Sequence, residues 1–470
     1  MHLDSARDLI ESHWSESVLA TLEEYVAIPA KSPAFDKDWA ERGEIERAVR
    51  LVESWCLSHA GAGWTVETVR LPGRTPVLWI DVPGNGSDRV LLYGHVDKQP
   101  EMEGWDSELG PWKPVLRGDR LYGRGGADDG YAAFASLLAL RILEEQGVPH
   151  APCGILIEAC EESGSYDLPA YIDHLAPRIG TPSLVVCLDS GCGNYDQLWC
   201  TTSLRGLAGG TLHVNVLNEG VHSGDASGVV PSSFRVARAL LARIEDAEDG
   251  RMLLPELYAE IPPGRLHEAA RAAEVLGAGL HRRFPWQGRS GPVSTDETEL
   301  VLNRTWRPFL EITGAAGVPD LERAGNVLRP STALKLSIRL PPTCDASRAR
   351  DALKARLEAD PPHDVEVQFR SEAAVSGWNA PPSEPWLSEA LDATSQTWFD
   401  GLPAVHMGEG GTIPFMGMLG EKFPEAQFVI TGVLGPGSNA HGPNEFLHIP
   451  TAKRLSGCVA QLLEQHALRP

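Results

Sequence analysis

The stretch Leu121-Tyr122-Gly123-Arg124-Gly125-Gly126-Ala127-Asp128-Asp129-Gly130 decides how the rest of the chain is read. A short apolar lead-in runs into three glycines within four residues, then two adjacent carboxylates, then a long helical pattern. Glycine lets a backbone take conformations closed to other residues and approach a ligand closely. Two neighbouring carboxylates just past such a turn repel each other unless a cation or hydrogen-bond donors compensate. A glycine turn with an Asp helix cap explains the stretch taken alone. Its surroundings point instead to Asp128 as a carboxylate shared by two metal ions.

Working outward, Arg89–Asp97 (RVLLYGHVD) is a near-continuous apolar run that ends on His95 and Asp97, as suits a strand buried on both faces. On the other side, residues 130–146 (GYAAFASLLALRILEEQ) form a strong helical pattern. A Gly-Val-Pro turn leads from it into Cys153–Glu162 (CGILIEACEE), and Ser183–Asp189 (SLVVCLD) again closes an apolar strand on a carboxylate. Three such strands, each ending on a metal-capable side chain and separated by helices, are what an open α/β sheet offers, because its ligands sit at the carboxyl ends of the strands.

Residues 6–30 and 41–60 read as helices, and Val66–Val69 and Val77–Val82 as short strands. After Thr201 the texture changes. Gly210–Leu217 and Ala333–Leu340 alternate with period two, Asp364–Arg370 adds a strand, and Ser232–Ala247 and Ala346–Ala359 read as helices. Residues 250–325, rich in Pro, Gly and Arg, carry no firm assignment. The α/β texture returns near Trp386, with a helix over Glu389–Phe399, a buried strand over Gln427–Val433 and a closing helix over Thr451–His466. The expected fold is therefore α/β, a mixed sheet flanked by helices, with a smaller α+β domain inserted. Residues 1–203 and 382–470 form the first domain and residues 204–381 the second.

The chain has 470 residues, of which 42% are hydrophobic and 22% charged, and a net charge of −23. A length above roughly 250–300 residues implies more than one core. The acidic balance argues against nucleic acid and anionic membranes as partners. No apolar leader or run long enough to span a membrane is evident. The eight cysteines show no CxxC pair or zinc-finger spacing, so reduced thiols and a cytoplasmic location are expected.

His and carboxylates without Cys suit Zn, Mn or Co. The candidate ligands are His95, Asp128, Glu162, Asp189 and His441, the last in Gly437-Ser438-Asn439-Ala440-His441-Gly442-Pro443-Asn444-Glu445. Two metals sharing Asp128 leave room for a bridging water of lowered pKa. Glu161, beside Glu162, is the candidate general base, and Asp97 the candidate partner that orients His95. Singly, each of these residues has an ordinary reading as a turn, cap or surface charge. Together, in one order along an α/β chain, they favour a site.

The segments HVD at 95–97, GRGGADDG at 123–130, EACEESGS at 158–165, LDS at 188–190 and AHGPNE at 440–445 resemble the dinuclear zinc exopeptidase family, in which carnosine dipeptidase, succinyl-diaminopimelate desuccinylase, carboxypeptidase G and the aminoacylases are found. The resemblance is strongest to the carnosine-dipeptidase branch, through EESGS, HSG and EGGTIP. It implies a zinc-exopeptidase-type catalytic domain with an inserted lid domain that forms a homodimer. It implies two divalent ions per subunit, zinc first and manganese or cobalt otherwise, one held by His95, Asp128 and Asp189 and the other by Asp128, Glu162 and His441. It also implies a cis Asp128–Asp129 peptide, Glu161 as base and proton shuttle, and His222 as an oxyanion-stabilising group reaching a partner's site. Asn326, Arg339, Gly410, Gly411 and Thr412 match positions that grip substrate, Arg339 through its carboxylate.

Departures fall in the pocket: Gly130-Tyr131 follows Asp129, Trp378 stands where the carnosine enzymes carry a His, and Gly408 where many relatives have Arg. The implied activity is hydrolysis of dipeptides or other short peptides, with N-acyl amino acids as alternative substrates.

Overall fold

The structure, a computed structural model, describes residues 1–469 apart from the side chain of Pro414. It divides into two compact units, one of Met1–Thr201, Ala380–His406 and Met418–Pro470, the other of Thr202–Asn379 and Met407–Gly417.

The first unit is built on a six-stranded mixed sheet in the order Thr65–Val69, Val77–Val82, Cys153–Glu158, Val90–His95, Leu184–Cys187, Gln427–Ile430. The first two junctions are antiparallel and the remaining three parallel. Cys153–Glu158 and Val90–His95 are buried at every position, which is why both read as unbroken apolar runs rather than alternating ones. Their register pairs His95 with Glu158, so the polar ends of the two strands emerge side by side. The Ala132–Glu145 helix is buried along nearly its whole surface and packs on the Val90–His95 strand and on the C-terminal helix Ile449–Leu468. A helix apolar all round needs such a two-sided seat. Among the described residues no helix is long and apolar enough to cross a membrane.

The second unit carries a four-stranded antiparallel sheet in the order Phe309–Ala316, Ser331–Leu340, Gly206–Asn215, Glu366–Ser371. Ser331–Leu340 buries every second residue, and Leu334, Leu336, Ile338 and Leu340 form one core with the helices Ser233–Leu241 and Ala346–Glu358.

The helix expected over 232–247 stops at Leu241, where the chain turns back so that Glu245 pairs with Met252. The unassigned stretch 250–325 contains the helices Pro263–Leu276 and Glu297–Thr305 and the edge strand Phe309–Ala316.

Candidate metal centre

The parallel strands of the first unit deliver the candidate ligands at their carboxyl ends. His95 is the last residue of its strand, Glu161 and Glu162 open the short turn just past Cys153–Glu158, and Asp189 follows Leu184–Cys187. Asp128 lies in the turn Gly126–Gly130, and the Asp128–Asp129 peptide is cis. His441 comes from the loop ahead of Phe446–His448 and has a left-handed backbone, φ 65°.

Two groups are tight enough to hold a metal ion: His95, Asp128 and Asp189, and Asp128, Glu162 and His441, the ligand atoms of each lying within 4.8 Å of one another. Asp128 serves both, one oxygen to each side. Its Oδ1 is 3.3 Å from His95 Nε2 and its Oδ2 3.0 Å from His441 Nε2. Asp189 Oδ2 stands 3.6 Å from His95 Nε2, and Glu162 Oε2 3.5 Å from His441 Nε2.

Asp97 organises the centre from behind. Its carbonyl oxygen is 3.1 Å from His95 Nδ1 and accepts that nitrogen's proton, which turns Nε2 toward Asp128 and Asp189. Its carboxylate accepts the backbone N–H groups of Glu161 and Glu162, each at 3.0 Å. One buried residue thus fixes a histidine through its backbone carbonyl and, through its side chain, the turn that carries two glutamates.

The electrostatics are those of an anionic cage. Burial, then the charge of Asp189, raises Glu161 well above the usual carboxylate range. Burial and the charge of Asp128 push Glu162 up to about 8, and burial moves Asp189 to about 6. Burial opposes ionisation of Asp128 too, but His441 and His95 on either side hold its carboxyl low. Burial would lower His95, yet Asp128, Asp189 and Asp97 raise it well above its ordinary value. Carboxylates forced together in this way await positive charge. Two ligand atoms of these groups, His95 Nε2 and Glu162 Oε1, are buried without a hydrogen-bond partner, as donors to a metal would be. Imidazole and carboxylate donors without thiolate fit zinc or manganese.

Three contributors are given no role by the motif reading, although Arg124 and Glu445 stand inside its GRGGADDG and AHGPNE segments. Gln99 Nε2 donates to Glu162 Oε2 at 2.5 Å. Arg124 and Glu445 form a buried pair that joins the Asp128 turn to the His441 loop. Only their closeness in sequence to ligands hints at them.

The substrate-side candidates lie in the second unit. His222 is exposed at the end of the Val221–His222 strand, where it pairs with Val327, and Asn326 O accepts the Ser223 N–H at 2.9 Å, which brings the His222 and Asn326 segments together. Arg339, next to last in the Ser331–Leu340 strand, places Nη1 3.5 Å from Thr412 Oγ1. The Thr412 hydroxyl donates to Arg205 O at 2.5 Å, so toward Arg339 it presents a lone pair. Gly410 and Gly411 complete this loop, with Arg205 Nε on Gly410 O at 3.2 Å and the Arg205 N–H on Gly411 O at 3.1 Å.

Against known proteins, the family model described as Peptidase family M20/M25/M40 matches residues 91–465. The chain is 27% identical over 396 residues to the cysteinylglycine-S-conjugate dipeptidase of Corynebacterium striatum, covering 80% of this chain and 82% of that one. It is 25% identical over 506 residues to the β-Ala-His dipeptidase of Homo sapiens, covering 99% and 93%. Its fold matches that of the dipeptidase Dug1p from Saccharomyces cerevisiae with a TM-score of 0.77 at 21% identity, over 100% of this chain and 99% of that one.

Proposed function

The chain belongs to peptidase family M20/M25/M40 and is a metallo-dipeptidase-like hydrolase, and from that premise we propose that it cleaves the amide bond of dipeptides with Glu161 as general base. The observation that carries the reading is the pair of ligand groups sharing Asp128, with Glu161 anchored next to Glu162 through Asp97. His95, Asp128 and Asp189 would hold one divalent cation and Asp128, Glu162 and His441 the other, zinc first and manganese or cobalt otherwise, and bound there they would supply Lewis acidity.

The remaining steps belong to the chain's own side chains. Glu161, raised by burial and by Asp189, takes the proton of the attacking water on a carboxylate oxygen and returns it to the leaving amine. Asp97 keeps the Glu161 and Glu162 backbone fixed, so neighbouring carboxylates hold different orientations and duties. Arg339 holds the substrate's carboxylate beside the Gly410–Thr412 loop, with Asn326 on the segment next to His222. His222 serves the oxyanion across a homodimer formed through the second unit.

The test is a mass-spectrometric hydrolysis assay. Protein stripped and reloaded with Zn or Mn meets dipeptides, tripeptides and N-acyl amino acids, with Glu161→Ala alongside. Dipeptide cleavage that falls by about 100-fold or more in the variant, with two cations still bound, is the expected result. Cleavage of N-acyl amino acids alone moves the protein to the deacylases, and loss of cations in Glu161→Ala removes Glu161 from the role of base.

A further inference from the structure

In the second unit, one residue touches three consecutive members of the loop next to Arg339. The Arg205 backbone N–H donates to Gly411 O at 3.1 Å, its carbonyl accepts the Thr412 hydroxyl at 2.5 Å, and its Nε donates to Gly410 O at 3.2 Å. The same guanidinium reaches the other way, with Nη1 3.3 Å from Asn303 O and 3.4 Å from Arg307 O at the end of the Glu297–Thr305 helix. A cation there meets helix carbonyls with no intrahelical partner and the negative end of the helix dipole. Arg205 has no carboxylate partner among the described residues, and the nearby Glu409 pairs with Arg304 at 2.7 Å. Its hydrogen bonds therefore go to carbonyls, with Glu409 adding charge at longer range, an arrangement that places backbone rather than neutralising an acid.

Resting on the reading of Arg339 as the group that holds the substrate's carboxylate, we propose that Arg205 is the positioning residue of that grip, acting through Thr412. A hydroxyl that has given its proton to Arg205 O has only lone pairs left for Arg339 Nη1. The Arg205 side chain thus holds the loop at Gly410, and with it the approach of the Thr412 hydroxyl to the Arg205 carbonyl, and the Thr412 oxygen restrains the guanidinium that meets the substrate. Burial, together with the charges of Arg339 and Arg304, lowers Arg205 to about 10, so it remains a cation near neutral pH. A Cβ at residue 410 would lie 3.2 Å from Arg205 Nη2 and 3.3 Å from Arg304 O, close enough that the guanidinium would have to give by a few tenths of an ångström. Lysine cannot replace Arg205, because a single ammonium lacks the planar fork that spans Gly410 on one side and the helix end on the other.

The experiment compares S-methylcysteinylglycine with its C-terminal amide in wild type, Arg205→Lys, Thr412→Val and Arg339→Gln, with melting temperature and bound metal measured on each. Wild type prefers the acid. In Arg205→Lys the KM for the acid rises by about tenfold while kcat changes little, the split that marks lost ground-state binding. The acid-to-amide preference then collapses toward one, and Thr412→Val moves the same way by a smaller factor. Thr412→Val removes one oxygen, so it carries the test if Arg205→Lys melts early. A preference lost in Arg339→Gln but intact in both other variants leaves the carboxylate grip standing and overturns the role of Arg205. A preference absent from wild type, or surviving Arg339→Gln, removes the grip and the proposal with it.

Discussion

Arg124 and Glu445, 321 positions apart in the chain, meet as a fully buried ion pair. The pair is a junction. Glu445 Oε1 also accepts the Gly125 N–H at 2.8 Å, Glu445 O accepts the Gly123 N–H at 2.9 Å, and Arg124 Nη2 donates to Gly442 O at 2.9 Å. The glycine-rich turn that ends in Asp128 is thereby bound to the loop that carries His441. The His441 side chain is 53% exposed and takes little placement from packing. Its position follows from this junction.

Removing one charge from a buried pair leaves the other uncompensated, a change worth about 3–5 kcal/mol. Glu445→Gln should therefore lower the stability of chelator-treated protein by about that much in urea unfolding and weaken the binding of one of two cations. The double variant Arg124→Met/Glu445→Leu removes both charges of the pair and should recover a large part of the lost stability. Equal damage in single and double variants would mean that the backbone bonds of Glu445, not the charge pair, hold the loops.

Asp97 makes a second prediction. In Asp97→Asn an amide N–H₂ faces the N–H of Glu161 or Glu162, so one of the two 3.0 Å bonds is replaced by a donor–donor contact. The turn carrying Glu162 shifts, and cation affinity should fall by roughly 10–100-fold, read by competition with a chromophoric chelator. Unchanged affinity with lost turnover would confine Asp97 to Glu161.

Gly125 offers a test with an internal control. Its φ is 84°, and a Cβ would lie 2.7 Å from Cε of the buried Lys98, whose ammonium holds Tyr25 O at 2.7 Å and Ile28 O at 2.9 Å. Gly86 has φ 85° and open space around its absent Cβ. Gly86→Ala should reveal the backbone strain alone, about 1–2 kcal/mol. Gly125→Ala should exceed it by roughly 1–3 kcal/mol for overpacking, compared by urea midpoints. Equal losses would show that Lys98 moves aside freely.

The strands and their terminal ligands were legible because a strand buried on both faces has no polar positions. His95 and Asp189 then stand out as the first polar metal-capable groups after an apolar run, and Glu161 and Glu162 as the carboxylates just past the Cys153–Glu158 strand. His441 lies in a loop without periodicity; its place past the Gln427–Val433 strand made it a candidate, and the likeness of its AHGPNE segment to a known family added its ligand role. The Arg124–Glu445 pair, Gln99 and Arg205 were invisible for a different reason. Pairing between distant polar side chains leaves no periodic trace, and an arginine bound to carbonyls looks in sequence like any surface arginine. The helix Pro263–Leu276 escaped because it packs through Ala269, Ala272 and Ala273, small residues that make no apolar stripe.

A last prediction concerns acid stability away from the site. His466, in the final turn of the C-terminal helix, is wholly buried, with Nε2 2.8 Å from Ser183 Oγ and Nδ1 unpartnered. Burial lowers it to about 4 even though Asp88 stands 3.7 Å away, because Arg469 pairs with that carboxylate. In the unfolded chain a histidine takes its proton near 6.5. Between those values the unfolded state binds more protons than the folded one, so stability that is complete above about pH 7 falls as pH drops through 6.5 toward 4, by about 3 kcal/mol in all. His466→Gln removes this proton uptake. Wild type and variant compared by urea unfolding at pH 7 and pH 5, both without cations so that the metal centre contributes equally, should differ in slope, with the variant losing less. Parallel losses in the two proteins would place the acid sensitivity elsewhere and show that the buried imidazole takes up its proton without unfolding the helix.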